Sequence, residues 1–292
     1  MNGFDFDETA PSDDGKNRIE PGALYLVATP IGNLADITYR AVKVLSGVDF
    51  IAAEDTRNTP RLLGKYGIKK PLVSYFEHNR RERGEYIVSR LKAGESCALV
   101  TDAGTPAISD PGEDLVVLCQ KNGVKVISIP GACAAITALT LSGLSSRRFC
   151  FEGFLPAASR ERKERLRELA AEKRTVIIYE APHHLQATVG DLLAALGDRR
   201  VSFCRELTKI NEEAKMMTLS EAAAYYSETR PRGEFVLVIE GAKETAAPDT
   251  GMTVEEHVQK YIDEGMSKMD AIKAAAKDRG VPKSEVYAEI NK

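Results

Sequence analysis

The sequence predicts two α/β domains with a ligand cleft between them, followed by a small helical module. Three observations carry that expectation. Short apolar runs recur at 24–28, 48–52, 96–100, 124–129, 175–180, 200–204 and 235–239, and runs of this length that stay apolar throughout read as strands buried on both faces. Segments of helical period lie between them, such as Ile37, Ala41, Val44 and Leu45 closed by Gly47, and Tyr86, Ile87 and Leu91 closed by Gly94. The series is interrupted at Pro130–Gly131, where an apolar helix begins, and strands resume near Arg148. Alternating strands and helices imply largely parallel sheets under a cover of helices. The expected divisions are an N-terminal α/β domain over 22–131, a connecting helix over 132–145 and a second α/β domain over 146–242.

The ends of the chain differ in texture. Residues 1–21 carry six acids against Lys16 and Arg18, with Pro11 and Pro21, and predict a disordered acidic leader. Residues 243–252 are a polar linker, and 253–292 hold three short helical patterns with a glycine-containing turn, a helix-turn-helix-like arrangement. The whole chain of 292 residues has a net charge of −3, so it is no polycation for non-specific nucleic-acid binding. Five scattered cysteines without a CxxC pair point to a reducing compartment. No run reaches membrane-spanning length, and a cytoplasmic protein without a membrane partner is expected.

Chemistry concentrates at the ends of the expected strands, where open α/β sheets bind ligands. The first such turn, ATPIGNLADIT, lacks GxGxxG, and the chain has no GxxxxGK[ST] phosphate loop, so NAD and nucleoside triphosphates are unsupported. The second, AEDTR, crowds Glu54, Asp55 and Arg57. One carboxylate at a helix start answers the helix dipole, but two with an arginine suggest a site. In TDAGTPAISDPG, Asp102 and Asp110 sit among glycines and prolines that forbid continued strand or helix, which suits either a binding loop or plain turns. His78, Arg80, Arg81 and Arg83 beside Tyr75 and Phe76 suit an RNA backbone and stacked bases. In the second half, YEAPHH sets Glu180, His183 and His184 at a strand end, and RELTK does the same for Glu206 and Lys209. The adjacent histidines do not form a zinc motif.

Taken together, ATPIGNLADIT, AEDTR, TDAGTPAISDPG, PGACAAITAL, GFLP, YEAPHH, RELTK and GEFVLVIEG occur in the order and spacing of the tetrapyrrole-methylase-like superfamily. Over residues 22–242 the chain resembles the branch that methylates ribosomal RNA. That resemblance implies a tetrapyrrole-methylase fold, S-adenosylmethionine held between the two domains, and methylation of a cytidine 2′-hydroxyl in the decoding region of small-subunit ribosomal RNA. It further implies a cofactor site of Ile31, Asp102, Gly104, Thr105, Ala132, Cys133, Tyr179 and Glu234. Cys133 stands where many members have serine, and His184 where many have arginine after the Pro-His pair.

A ribose hydroxyl is a weak acid, so the site needs a base or a cation near the forming alkoxide. Glu54, Asp55, Arg57 and Lys209 are the expected catalytic groups, with Arg57 set between two acids to orient a base. RNA contacts are expected from His78, Arg80, Arg81, Arg83 and His183. The substrate is either free ribosomal RNA or the assembled small subunit, and a homodimer is expected, because the 132–145 segment is more apolar than a connector requires. A tetrapyrrole methyltransferase and a non-catalytic nucleic-acid-binding protein remain as alternatives; the arginines of 78–83 favour RNA over a macrocycle.

Overall fold

Two five-stranded sheets build the α/β body. In the computed structural model, which describes residues 17–243 and 251–291, the first sheet contains β1 (Leu24–Val27), β2 (Phe50–Ala53), β3 (Leu72–Ser74), β4 (Cys97–Val100) and β5 (Val126–Ile129). Its order is β3-β2-β4-β1-β5 with every pairing parallel. The helices α1 (Tyr39–Gly47), α2 (Thr59–Lys65), α3 (Arg80–Lys92) and α4 (Gly112–Lys121) connect these strands. The chain leaves β1 toward β2 on one side and leaves β4 toward β5 on the other, so the connections part between two neighbouring strands. Such a reversal opens a crevice at the carboxyl ends of the strands. The two loops there are the first turn and the acidic loop.

The helix α5 (Ala134–Leu141) leads to the second sheet, built from β6 (Phe149–Phe154), β7 (Thr175–Glu180), β8 (Arg200–Arg205), β9 (Glu213–Thr218) and β10 (Phe235–Ile239). Its order is β6-β7-β10-β8-β9. Only β6 and β7 pair in parallel; β10 runs antiparallel between β7 and β8, and β8 and β9 form an antiparallel pair. The expectation of largely parallel sheets therefore fails in this half. The physical reason is the short 206–212 connection, which can join only antiparallel neighbours. Because Phe235 registers with both Glu180 and Arg205, the start of β10 and the ends of β7 and β8 share one edge. The helices α6 (Ser159–Ala170), α7 (Leu185–Leu196) and α8 (Leu219–Glu228) complete this half. Their leucines pack with Val176, Ile178, Phe203 and Leu237 into its core.

The described residues through Gly241 form one compact unit, and those from Ala242 a second. The second contains α9 (Val254–Asp263), α10 (Lys268–Arg279) and α11 (Lys283–Ile290). Thr253 and Glu256 form a reciprocal capping box on α9, and α10 ends at left-handed Gly280. Val258, Ile272, Ala275 and Val286 make its small core. Most of the acidic leader and of the 243–252 linker lie outside the described residues. The leader is nonetheless shorter than expected. Ile19 packs on the first sheet's core, and the Lys125 ammonium donates to the Glu20 carboxylate at 2.6 Å, so both belong to the body.

Candidate active site

The first turn and the acidic loop are clipped together by an antiparallel bridge between Thr29 and Gly104, with N···O distances of 2.9 and 3.1 Å. A side chain at Gly104 would stand 3.3 Å from Ile31 Cγ2, in a left-handed backbone at φ +84 that L side chains rarely adopt. Thr105 Oγ1 donates to the Ala132 carbonyl at 2.9 Å, tying the loop to the start of α5.

The second sheet meets these loops closely. A Cβ at Gly153 would lie 2.7 Å from Ser109 Oγ, and one at Gly32 would lie 2.5 Å from Lys209 Cγ. Among the described residues, the non-glycine positions with left-handed φ are Ala107, Ser109, Glu206 and Thr208. All four stand in the two facing loops, acidic on one side and RELTK on the other. Strain of this kind collects at functional sites and persists only where packing holds it.

Between the loops lies a cavity of about 580 Å³. Of the expected cofactor residues, Ile31, Asp102, Gly104, Thr105, Cys133, Tyr179 and Glu234 line it, while Ala132 stands behind Thr105. Of the expected catalytic residues Glu54 lines it, and Asp55, Arg57 and Lys209 do not. Glu54 Oε2 accepts from Thr101 Oγ1 at 2.8 Å, which turns this carboxylate along the end of β4. Asp55 is instead gripped by Arg57, whose Nε and Nη2 reach its two oxygens at 2.9 and 2.7 Å. The Arg57 side chain is 88% exposed. Among the described residues it pairs with Asp55 and not with Glu54, contrary to the expectation of an arginine between two, because a guanidinium fork fits a single carboxylate bidentately.

Charges in the site are biased by these contacts. Burial first, and then the neighbouring charges of Glu54 and Asp55, raise the Asp102 carboxyl above its ordinary value. Hydrogen bonds from Arg57 hold the Asp55 carboxyl down at about 2. Burial pushes the Tyr179 phenol up to about 12, and its oxygen accepts the Ala135 amide at 3.2 Å. The Lys209 ammonium donates to Glu206 Oε1 and Glu234 Oε2, each at 2.9 Å. Burial lowers its pKa, but the two carboxylates together outweigh that and hold it above the ordinary value.

The expected RNA contacts lie away from the cavity wall. Arg80 pairs with Glu77 and with Asp114, Arg83 approaches the Tyr86 ring at 6.0 Å, and His78 stands edge-on to Phe76. Arg81 is exposed at the start of α3. The His183 ring lies tilted at 50° to that of His184, with centroids 4.1 Å apart, just beyond Ala181 and Pro182 of the cavity wall. Sequence reasoning missed Ile108, Phe154 and Leu207 as lining residues, while Glu180, noted at its strand end, does line the cavity. The GFLP motif was the available signal for Phe154, an aromatic after a glycine at a strand end.

Two sheets joined over a crevice, with an acidic loop on one side and aromatic and apolar groups on the other, define a two-domain α/β protein with a small-molecule site between its sheets. The family model of the tetrapyrrole (corrin/porphyrin) methylases matches residues 23–223. The chain is 49% identical over 276 residues to the ribosomal RNA small subunit methyltransferase I of Halalkalibacterium halodurans, covering 93% of this chain and 96% of that protein. It is 47% identical over 271 residues to the protein of the same name from Bacillus subtilis, with 91% and 93% covered. The solved uroporphyrin-III C-methyltransferase of Thermus thermophilus, complexed with S-adenyl homocysteine, shares the fold with a TM-score of 0.53 at 20% identity, over 74% of this chain and 96% of that one. The chain belongs to the tetrapyrrole (corrin/porphyrin) methylase family, and within it groups with the proteins named ribosomal RNA small subunit methyltransferase I.

Proposed function

We propose that this chain uses S-adenosylmethionine to methylate the ribose 2′-hydroxyl of a cytidine in the decoding region of small-subunit ribosomal RNA. It is a methyltransferase by family, and the name of its near full-length relatives supports small-subunit ribosomal RNA as the substrate. The observation that carries the site assignment is the convergence of Glu54, Asp102 and Tyr179, from both sheets, on one cavity.

The lining suits the cofactor. The cavity has the size of a small-molecule site. Tyr179, Leu207 and Val236 offer an apolar wall to a purine, and Asp102 offers a carboxylate to hydroxyl or ammonium donors. At Gly104 the missing side chain lets the backbone come close to a ligand. Ile31, Asp102, Gly104, Thr105, Cys133, Tyr179 and Glu234 would hold the cofactor, with Ala132 bracing Thr105. Bound there, S-adenosylmethionine supplies a methyl group on a sulfonium.

The protein's own part is to align the acceptor oxygen and take its proton. Glu54 is the group we assign to that proton, since it lines the cavity, whereas Asp55 is bound by Arg57 and is too weak a base at about 2. Lys209 keeps a positive charge beside Glu234 at the rim, favouring a forming alkoxide. His78, Arg80, Arg81, Arg83 and His183 would contact the RNA backbone outside the cavity. Exposed Ile136 and Leu141 on α5 support a homodimer, and a cytoplasmic location belongs to the same reading.

The test is incubation with labelled S-adenosylmethionine and either naked ribosomal RNA or intact small subunits lacking the modification, followed by mapping of the label. Label on a ribose of one cytidine is expected. Label on a base, or none on either substrate, would overturn the reading.

A further inference from the structure

Two large apolar side chains stand uncovered in the cavity wall. Phe154 is 58% exposed and Ile108 42% exposed. They come from different halves, Phe154 from the end of β6 and Ile108 from the acidic loop, yet their chain neighbours Gly153 and Ser109 stand in close contact. Gly153, left-handed at φ +62, lets Ser109 Oγ approach to where its Cβ would stand only 2.7 Å away. Ile108 itself is held between left-handed Ala107 and Ser109, and its amide donates to Asp110 Oδ2 at 3.2 Å.

The Phe154 ring is supported from one side. It meets Tyr179 edge-on, with centroids 5.7 Å apart and planes at 64°. Tyr179 is fixed in turn by Phe151 at 4.9 Å and by the Ala135 amide. A fixed aromatic ring that remains more than half exposed is a platform for a flat ligand. Strained backbone at Ala107 and Ser109 holds the aliphatic Ile108 side chain uncovered in the same cavity wall.

Glu54 is a half-buried group in the cavity wall, and a ribose inside a stacked RNA strand is held away from it by its neighbours. The nucleotide must swing out, and its base then needs a surface to replace the stacking it lost. We propose that Phe154 and Ile108 form a base clamp, with the extruded base of the target nucleotide lying on the Phe154 ring and Ile108 closing on it. This rests on the ribose-methylation reading above. Stacking of this kind is tolerant of base identity, so the clamp orients the nucleotide and leaves sequence choice to other contacts.

The experiment compares wild type with Phe154→Ala, Phe154→Leu, Phe154→Trp and Ile108→Ala. Methyl transfer to unmodified small subunits gives kcat/KM, and equilibrium dialysis of S-adenosylmethionine gives the cofactor Kd. Removing the ring by Ala or Leu is expected to lower kcat/KM for subunits by about 10- to 100-fold, the loss of one base stack, with the cofactor Kd unchanged. Phe154→Trp keeps a platform and should retain activity, and Ile108→Ala should cause a smaller loss of the same kind. An unchanged kcat/KM in Phe154→Ala overturns the clamp. So does a Kd weakened in parallel with the rate, which would assign the ring to the cofactor's adenine. Methylation by the wild type reports separately on the underlying reading, because the clamp is judged on the ratio of variant to wild type.

Discussion

Gly32 and Lys209 come from different sheets and touch so closely that a Cβ on Gly32 would stand 2.5 Å from Lys209 Cγ, 2.9 Å from Thr208 Oγ1 and 3.1 Å from the Leu207 carbonyl oxygen. Backbone and side chain crowd the position together, so no single rotamer change makes room. Gly32→Ala should lower stability by about 1–3 kcal/mol, as overpacking does. It should also weaken S-adenosylmethionine binding, because Ile31 and Leu207 on either side of the contact both line the cavity. Thermal unfolding and calorimetric titration measure the two effects, and wild-type values in both would show that the loops have slack.

Asp102 makes opposite contributions to folding and to binding. Its folded pKa lies above the unfolded value of 3.8, from burial first and then from Glu54 and Asp55. A raised pKa favours the folded state below the unfolded value, and that benefit is lost as pH rises through the folded one. At neutral pH the ionised carboxylate is therefore a net cost to folding. Asp102→Asn should raise Tm at pH 7 and leave it less changed at pH 3. The same variant should bind S-adenosylmethionine roughly tenfold or more weakly, as expected when a charged hydrogen-bond acceptor is lost. A lowered Tm at pH 7 would contradict the sign.

Glu54 and Asp55 are neighbours with different tasks. Single-turnover methylation by Glu54→Gln should fall by about 10²- to 10⁴-fold, the usual contribution of a positioned base. Asp55→Asn removes the partner of the exposed Arg57 and should cost only a factor of roughly two to five. Equal losses in both variants would return the pair to joint candidacy.

Arg57 points outward, and its expected effect changes accordingly. Arg57→Ala should weaken RNA binding and lower the salt slope by about one unit, while turnover at saturating RNA stays near wild type. A saturated rate reduced a hundredfold would bring Arg57 back to the reacting atoms.

The strands that the sequence revealed are those buried on both faces, such as Cys97–Val100 and Phe235–Ile239. Those it concealed have other physics. Leu72–Ser74 is only three residues long, and Glu213–Thr218 is a half-exposed edge whose charged Glu213 and Lys215 interrupt any apolar run. Glu213 and Lys215 are in fact paired with each other at 2.8 Å. In the site, glycine-rich turns and clustered acids marked where the cavity would be. Which acid faces it was not legible, because Glu54 and Asp55 differ only in their partners, Thr101 and Arg57, and those are set by tertiary packing. Phe154 was marked by the GFLP motif alone, since an apolar residue ending a strand is ordinarily core.

The four left-handed residues at Ala107, Ser109, Glu206 and Thr208 have a consequence for how the protein could be divided. In each loop one of them is pressed by the other half, Ser109 at Gly153 and Thr208 at Gly32, and strain of this kind persists where packing holds it. A fragment carrying one sheet alone would let its loop relax to ordinary dihedrals and erase its share of the cavity. Binding should therefore be all or nothing across the two halves, and separated fragments should regain it only on reassembly.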